Sequence, residues 1–274
     1  MHRTRVITAA VFALSTAALI VLSSLTTMLV VAALSGLCAF EFYAMLRADA
    51  KLPNELIGTA AAALYPVSFY FWGINGILSL TTAFAVLLLI WYVYYNPARI
   101  TDVAITLFGA LYTGLMPTCL LMIRFIPAPD ANLPLPDLWG GLLVLVIVCS
   151  TWANDAAAFL VGSRVGRHKM APRVSPAKTW EGFFAGLLAS VLLWCLVPLI
   201  PGVNLSWAWA IAGGVLCGWV GILGDLVESR IKRSTGHKDS SGLLPGHGGF
   251  LDRCDSLFLV AALAFLLFRM VGLQ

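Results

Sequence analysis

The chain has 274 residues, of which 60% are hydrophobic and 11% are charged, and its formal net charge is +4. Soluble domains carry about 25% charged residues, so this composition excludes an ordinary soluble domain and predicts an integral membrane protein. The basic residues lie in short segments between apolar runs and no CxxC pair occurs, so neither nucleic acid nor zinc is an expected partner.

A helix that crosses a bilayer needs about 20 apolar residues. Runs of that length predict an all-α, polytopic membrane protein with about nine spans. The predicted spans are 6–22, 25–46, 55–73, 75–95, 102–123, 138–161, 181–200, 206–228 and 252–272. With the N-terminus in the cytoplasm, every lysine and arginine except Arg124 and Arg269 falls in a cytoplasmic segment. The chain is therefore predicted to begin in the cytoplasm and to be a multi-pass protein of the bacterial inner membrane.

Ionisable residues are concentrated in the last four predicted spans and in two loops between them, 162–180 and 229–251. We therefore interpret the chain as one membrane domain, 1–274. Its spans in 1–137 are mainly structural, and 138–274 holds the catalytic spans and cytoplasmic loops. One early carboxylate, Glu41, lies within the second span, and we expect it to pair with Arg47 or with an N-terminal arginine in a structural role.

The first of the two loops ends in RVSPAKTWEGF. Ser175 precedes a proline and predicts a turn, and Thr179 is expected to cap the following helix with help from Glu181. Lys178 then lies at the helix entrance on the predicted cytoplasmic face. From the residues alone, Lys178 is either a phosphate-binding cation or an anchor that sets topology.

Four carboxylates flank the second loop. Asp225 and Glu228 close the eighth span, and Asp252 and Asp255 open the ninth. A spacing of three residues places each pair on one helix face, so two helices are expected to present carboxylates to a shared centre near the cytoplasmic surface. Oxygen ligands suit a hard cation, above all Mg²⁺. The alternative is an ordinary interface in which these groups pair with Arg230, Lys232, Arg233 or Arg253.

A glycine-rich turn, Gly246-His247-Gly248-Gly249, comes directly before the ninth span. Glycine lets the backbone approach a ligand closely, and a helix N-terminus offers N–H groups and partial positive charge to a phosphate. We expect His247 to contact a phosphate or metal-bound water, whereas His168 and His237 are expected to be solvated. The alternative is a plain turn. Nearby cations that favour phosphate are Lys232, Arg233 and Lys238.

Two motifs carry a resemblance to a known family. The longer contains Ser229, Ile231, Lys232-Arg233, Lys238-Asp239, Leu244-Pro245, His247-Gly248-Gly249-Phe250, Asp252-Arg253 and Asp255. The shorter contains Val174-Ser175-Pro176 and Lys178-Thr179-Trp180-Glu181-Gly182. Together they resemble the signatures of the phosphatidate cytidylyltransferase family. The turn at Gly224-Asp225-Leu226 and the region of Asp155 are similar too. The resemblance is specific over about 150–260, and Cys254 departs from it by replacing an aliphatic residue or threonine.

The resemblance implies an enzyme that converts CTP and phosphatidate into CDP-diacylglycerol and pyrophosphate with Mg²⁺, in an all-helical homodimer. The implied metal ligands are Asp225, Asp252, Asp255 and Asp155. The implied phosphate-binding residues are Ser175, Lys178, Lys232, Arg233, Lys238, His247, Gly248 and Gly249. The catalytic group comprises Asp225, Asp252, Lys178, Lys232 and Arg233.

Two other functions remain open at this stage. An ion-coupled transporter would also carry intramembrane carboxylates, although the charges gather at one face and no matching halves with broken helices are visible. A CTP-dependent polyprenol kinase-like enzyme would use the same nucleotide but would yield a phosphorylated alcohol and CDP.

Overall fold

The computed structural model of the protein describes residues 14–49, 51–127, 136–243 and 248–273. Helices dominate it, because a chain in lipid must satisfy its backbone hydrogen bonds within each segment. The elements are α1 (14–22), α2 (Ser24–Ala48), α3 (Glu55–Tyr94), α4 (Ile100–Ala110), a π-helical turn (Leu111–Leu115), α5 (Met116–Arg124), α6 (Pro136–Val165), β1 (Lys169–Ala171), β2 (Ser175–Thr179), α7 (Trp180–Trp194), a 3₁₀ turn (Val197–Leu199), α8 (Trp207–Ser234) and α9 (Leu251–Met270). The predicted all-α membrane class is confirmed, with one short β-hairpin added.

Six helical stretches in the described residues are long and apolar enough to cross a membrane. They are Ser24–Ala48, Glu55–Tyr94, Ile100–Arg124, Leu138–Val165, Trp180–Leu199 and Trp207–Ser234. The first predicted span, 6–22, lies largely outside the described residues. Helix α9 coincides with the ninth but carries four charged residues and is not among the six. The count of nine spans and the cytoplasmic N-terminus stay predictions.

Helix α3 is broken at Gly73, where φ is 58° and ψ is −145°. Forty residues of unbroken helix would extend about 60 Å, twice the hydrocarbon thickness of about 30 Å. Two spans therefore need a break, and glycine adopts a positive φ without the steric cost of a Cβ. The break lies at the boundary between the predicted spans 55–73 and 75–95.

Two compact units make up the chain, and the first comprises Met1–Leu121 with Lys232–Cys254. Helices α2, α3 and α4 of this unit pack around Tyr43, whose hydroxyl donates to the carbonyl of Thr106 at 2.6 Å. A Cβ at Gly58 or Gly109 would overlap the Tyr43 ring. These glycines therefore allow the close approach of the three helices.

The connection between α2 and α3 is held by polar contacts. Asp102 accepts hydrogen bonds from the N–H groups of Leu52 at 3.0 Å and Arg99 at 2.8 Å. Arg47 forms an ion pair with Glu55 at 3.1 Å. The prediction that Arg47 pairs with the intramembrane carboxylate of α2 is therefore wrong, and the N-terminal arginines lie outside the described residues.

The second unit comprises Met122–Ile231 with Asp255–Gln274. Side chains tie its helices together: the amide of Asn154 in α6 donates to the carbonyl of Gly218 in α8 at 3.0 Å. The Ser190 hydroxyl in α7 donates to Gly214 in α8 at 2.9 Å. This division into packed units differs from the predicted boundary after residue 137. That boundary separates mainly structural spans from catalytic spans, and it stays a prediction.

Candidate active site

A β-hairpin and a helix cap position the predicted lysine of the shorter motif. Strands β1 and β2 pair antiparallel, with Lys169 opposite Thr179. The Thr179 hydroxyl accepts a hydrogen bond from the Gly182 N–H at 3.3 Å, so the predicted cap of α7 is confirmed. Glu181 lies in the first turn of α7, where its carboxylate accepts from its own backbone N–H, as expected of a residue that assists the cap, and it also lies 2.7 Å from Nδ1 of His168. Because β2 runs directly into α7, Lys178 is held at the entrance of the helix.

Lys178 reaches α8, where it forms an ion pair with Asp225. Its Nζ lies 2.9 Å from Oδ2 of Asp225 and donates to the carbonyl of Ile222 at 3.1 Å. The Ser229 hydroxyl donates to Oδ1 of Asp225 at 3.2 Å. The Asp225 side chain is 38% exposed and that of Lys178 is 17% exposed. Both groups therefore remain accessible to a ligand.

The ion pair opens onto a cavity of about 500 Å³ within the second unit. Protein pockets that hold small molecules have volumes of about 300–1,000 Å³. The wall of this cavity includes small and aromatic residues of α6 and α7, and the polar residues that line the cavity are Asp155, Ser163, Lys169, Ser175, Lys178, Thr179 and Asp225. The structure thus brings four predicted site residues together, and it adds Lys169, which the sequence analysis did not single out.

The same unit contains further carboxylates that do not line the cavity. Asp255 and Glu228 are buried, and Asp225, Glu228 and Asp155 act electrostatically on Asp255. Carboxylates this close in a region of low dielectric repel one another when ionised, and a cation would relieve that repulsion. Among the described residues, however, no group of three or more carboxylate, imidazole or thiol side chains could hold a metal ion by itself.

Mg²⁺ commonly binds through one or two carboxylates, with substrate phosphates and water completing its shell. Asp225 and Asp155 both line the cavity and provide the oxygen ligands that this arrangement needs. The donor set of the second unit therefore fits a magnesium ion shared with a bound phosphate.

The remaining predicted residues lie in the first unit, where Asp252 is enclosed by donors. Its Oδ1 pairs with Lys232, and both side chains are nearly buried. Its Oδ2 accepts from the N–H of Ser240 at 2.9 Å and from that of Gly249 at 2.8 Å. Asp252 therefore forms an ion pair with Lys232, which was the alternative to metal binding. The role of Asp252 as a metal ligand stays a prediction.

A carboxylate from the N-terminal half occupies the start of α9. Glu41 accepts from the N–H groups of Phe250 at 3.0 Å and Leu251 at 2.8 Å. The expectation that this helix start offers free N–H groups to a phosphate is therefore wrong for Gly249, Phe250 and Leu251. The carboxylates of Glu41 and Asp252 already accept from those three.

Glycine is required beside these carboxylates. Gly248 has a positive φ of 80°, and a Cβ at Gly249 would overlap the Glu41 carboxylate and the Ser240 hydroxyl. The glycines were predicted to let a ligand approach the backbone, and here the approaching groups are side chains of the protein. The fold therefore requires glycine at both positions. Contact of Gly248 and Gly249 with a phosphate stays a prediction.

Other cations of the longer motif lie at the surface. Arg233 is exposed and donates to the carbonyl of His237 at 3.2 Å, and Lys238 is exposed. Nδ1 of His237 lies 3.2 Å from the Thr235 hydroxyl. His247 lies outside the described residues.

Sequence reasoning assigned Glu41 a structural pair and missed its contacts with Ser240 and Ser241. The signal was available in part, because an ionisable residue inside a predicted span is by default a functional hypothesis. Its partners are 199 or more residues away along the chain, so no local pattern identifies them.

Replacing Asp252 with asparagine should destabilise the protein. The change removes the carboxylate that pairs with Lys232 and that accepts from Ser240 and Gly249. Breaking a buried ion pair from one side costs about 3–5 kcal/mol. Thermal unfolding in detergent measures the effect, with the exposed Asp239→Asn as the matched control. Equal melting temperatures for the two variants would contradict the structural role of the pair.

The amino-acid sequence was compared with known protein families and proteins. A model described as the cytidylyltransferase family matches residues 3–271. A phosphatidate cytidylyltransferase of Bacillus subtilis is 31% identical over 269 residues, 96% of each chain. One of Synechocystis is 36% identical over 200 residues, covering 65% of this chain and 67% of the relative. A chloroplastic phosphatidate cytidylyltransferase 5 of Arabidopsis thaliana is 35% identical over 227 residues, 77% of this chain and 55% of the longer relative.

Proposed function

The chain belongs to the cytidylyltransferase family, and we propose that it transfers the cytidylyl group of CTP to phosphatidate, giving CDP-diacylglycerol and pyrophosphate. The observation that carries the proposal is the Lys178–Asp225 pair at the wall of the cavity; Lys178 belongs to the shorter motif that resembles the signature of this family. The membrane-spanning helices support a lipid as the second substrate. We expect the reaction at the cytoplasmic face of the inner membrane and in a homodimer.

Phosphate recognition would fall to the hairpin. Lys178, Lys169 and Ser175 line the cavity and provide two cations and a hydroxyl donor on one side of it. Charge-assisted hydrogen bonds to phosphate are roughly twice as strong as neutral ones. These groups would neutralise the triphosphate and the lipid phosphate, which otherwise repel each other.

The transfer itself needs little proton chemistry from the protein. An oxygen of the phosphatidate phosphate would attack the α-phosphorus of CTP and form a new P–O bond. The bond from that phosphorus to the oxygen that bridges to the β-phosphate breaks, and pyrophosphate leaves. Because the attacking oxygen is already anionic, positioning and electrostatic stabilisation carry the catalysis.

Asp225 and Asp155 would hold Mg²⁺ at the cavity wall, and Asp255 and Asp252 are further candidates from the resemblance. The bound ion would neutralise charge that develops on the departing pyrophosphate. The ion pair with Asp225 holds Lys178 at the cavity wall, and the partly exposed carboxylate could exchange this partner for a metal ion.

The aromatic wall suits a lipid substrate. Phe159 lines the cavity, and its side chain is largely exposed, as is that of Phe184 on α7. Such residues in a membrane protein contact acyl chains without loss of hydrogen bonds. The tails of phosphatidate would stay in the bilayer while its phosphate enters the cavity.

Labelled CTP separates the proposed reaction from its alternatives. Purified protein in phosphatidate vesicles with Mg²⁺ should move label from the α-phosphate of CTP into lipid and release γ-label as pyrophosphate. Chelation of divalent ions should abolish both. Transfer of γ-label to a polyprenol would instead identify a kinase, and ion flux without nucleotide would identify a transporter; either result with no α-label in lipid would refute the proposal.

A further inference from the structure

Glu41 is the acceptor for four donors that flank the glycine-rich turn. Its Oε2 accepts from the Ser240 hydroxyl at 3.0 Å and the Leu251 N–H at 2.8 Å. Its Oε1 accepts from the Ser241 hydroxyl at 2.6 Å and the Phe250 N–H at 3.0 Å. We call these five residues the Glu41 clamp. All of them belong to the first unit.

The hydrogen bonds of the Glu41 clamp compensate for the burial of its carboxylate. Glu41 is 1% exposed, and burial of a carboxylate is tolerated only when its oxygens are hydrogen-bonded or paired. Two of its donors are the orphan N–H groups at the start of α9, where the partial positive charge of the helix favours an anion. The other two are hydroxyls from the far side of the turn. One side chain of α2 thus fixes both described ends of this segment.

The clamp is connected to the predicted catalytic pair. The Ser240 hydroxyl lies within hydrogen-bond distance of Oε2 of Glu41 and, at 2.9 Å, of Oδ2 of Asp252. Asp252 in turn pairs with Lys232. A continuous chain of polar contacts therefore runs from a buried carboxylate of α2 to a lysine at the end of α8.

We propose that Glu41 is a positioning residue for cytidylyl transfer, which holds the segment before α9 so that Asp252 and Lys232 keep their productive orientation. The inference rests on the proposed function, because it takes those two residues to serve the reaction. Glu41 itself does not contact substrate. Its carboxylate occupies the helix N-terminus as an internal anion, so the geometry of the segment is set before nucleotide arrives.

Glu41→Gln tests the proposal, because glutamine keeps the shape but places an amide N–H₂ against one pair of donors. Asp102→Asn is the matched control: Asp102 is also buried in the first unit and also accepts two backbone N–H groups, but it holds the α2–α3 connection. Ser241→Ala is a milder variant, since it removes one donor and leaves the carboxylate intact. For all three variants, the measurements are amide hydrogen exchange of residues 248–254 and the kinetics of cytidylyl transfer from CTP.

We expect Glu41→Gln to lower kcat/KM for CTP by about tenfold or more, which corresponds to loss of one charged hydrogen bond. Exchange at Phe250 and Leu251 should rise with it, and Ser241→Ala should show a smaller change of the same kind. Asp102→Asn should lower the melting temperature comparably but change kcat/KM less than about twofold.

Three outcomes would overturn the positioning role. Unchanged exchange at Phe250 and Leu251 in Glu41→Gln would mean that the clamp does not hold the segment. Raised exchange with unchanged kcat/KM would mean that the segment does not serve the reaction. Equal loss of activity in Asp102→Asn would show a general effect of stability. If the wild type transfers no α-label to lipid, the proposed function fails, and exchange still decides whether Glu41 holds the segment.

Discussion

Asp225→Asn should reduce cytidylyl transfer by about a thousandfold or more while the protein stays folded and inserted. The change removes the partly exposed carboxylate that lines the cavity and pairs with Lys178. A metal ion contributes several kcal/mol to charge stabilisation, and each 1.36 kcal/mol is tenfold in rate. Initial rates of α-label transfer at saturating CTP, with and without added Mg²⁺, measure the loss.

Glu55→Gln is the matched control for Asp225→Asn. It breaks the ion pair with Arg47, which lies in the first unit, and neither residue lines the cavity. Exposed pairs contribute about 0–1 kcal/mol, so its activity should remain within about twofold of wild type. Elution as a single species in detergent checks the fold of each variant. Near-wild-type transfer by Asp225→Asn would remove this residue from the metal role.

Lys178→Met should lower kcat/KM about a hundredfold, and adding Asp225→Asn should not restore it. The methionine keeps much of the apolar stem but removes the charge that we assign to phosphate binding. If the pair were only structural, the double variant would be less impaired than Asp225→Asn alone, because no charge would be left without its partner. A double-mutant cycle on transfer rates distinguishes these interpretations.

Arg173→Met is the control for Lys178→Met. Arg173 belongs to the same hairpin region and is exposed, but it does not line the cavity. Both lysine and arginine contribute alike to the positive-inside rule, so an anchoring role predicts similar effects for the two variants. A phosphate-binding role predicts loss of activity for Lys178→Met alone.

Local patterns predicted the helices and one of their caps. Apolar runs of about 20 residues identified α2, α6 and α8, because backbone groups in lipid must bond within their own segment. Thr179 was correctly placed as a cap because capping depends on residues within one turn. The hairpin before it was missed, since strands of three and five residues are too short to show a period.

The class of the protein, its long apolar helices and the motifs that mark its family could be predicted from the amino-acid sequence, because these depend on composition and on neighbours along the chain. Which charged groups meet depends on the three-dimensional packing of the chain. Lys178 could have been an anchor, and the fold gave it Asp225 as a partner. Glu41 was expected to pair locally, yet it caps a helix that begins 210 residues later. Hydrogen bonds and ion pairs act over a few ångströms in space, and packing, not spacing, brings such distant residues within that range.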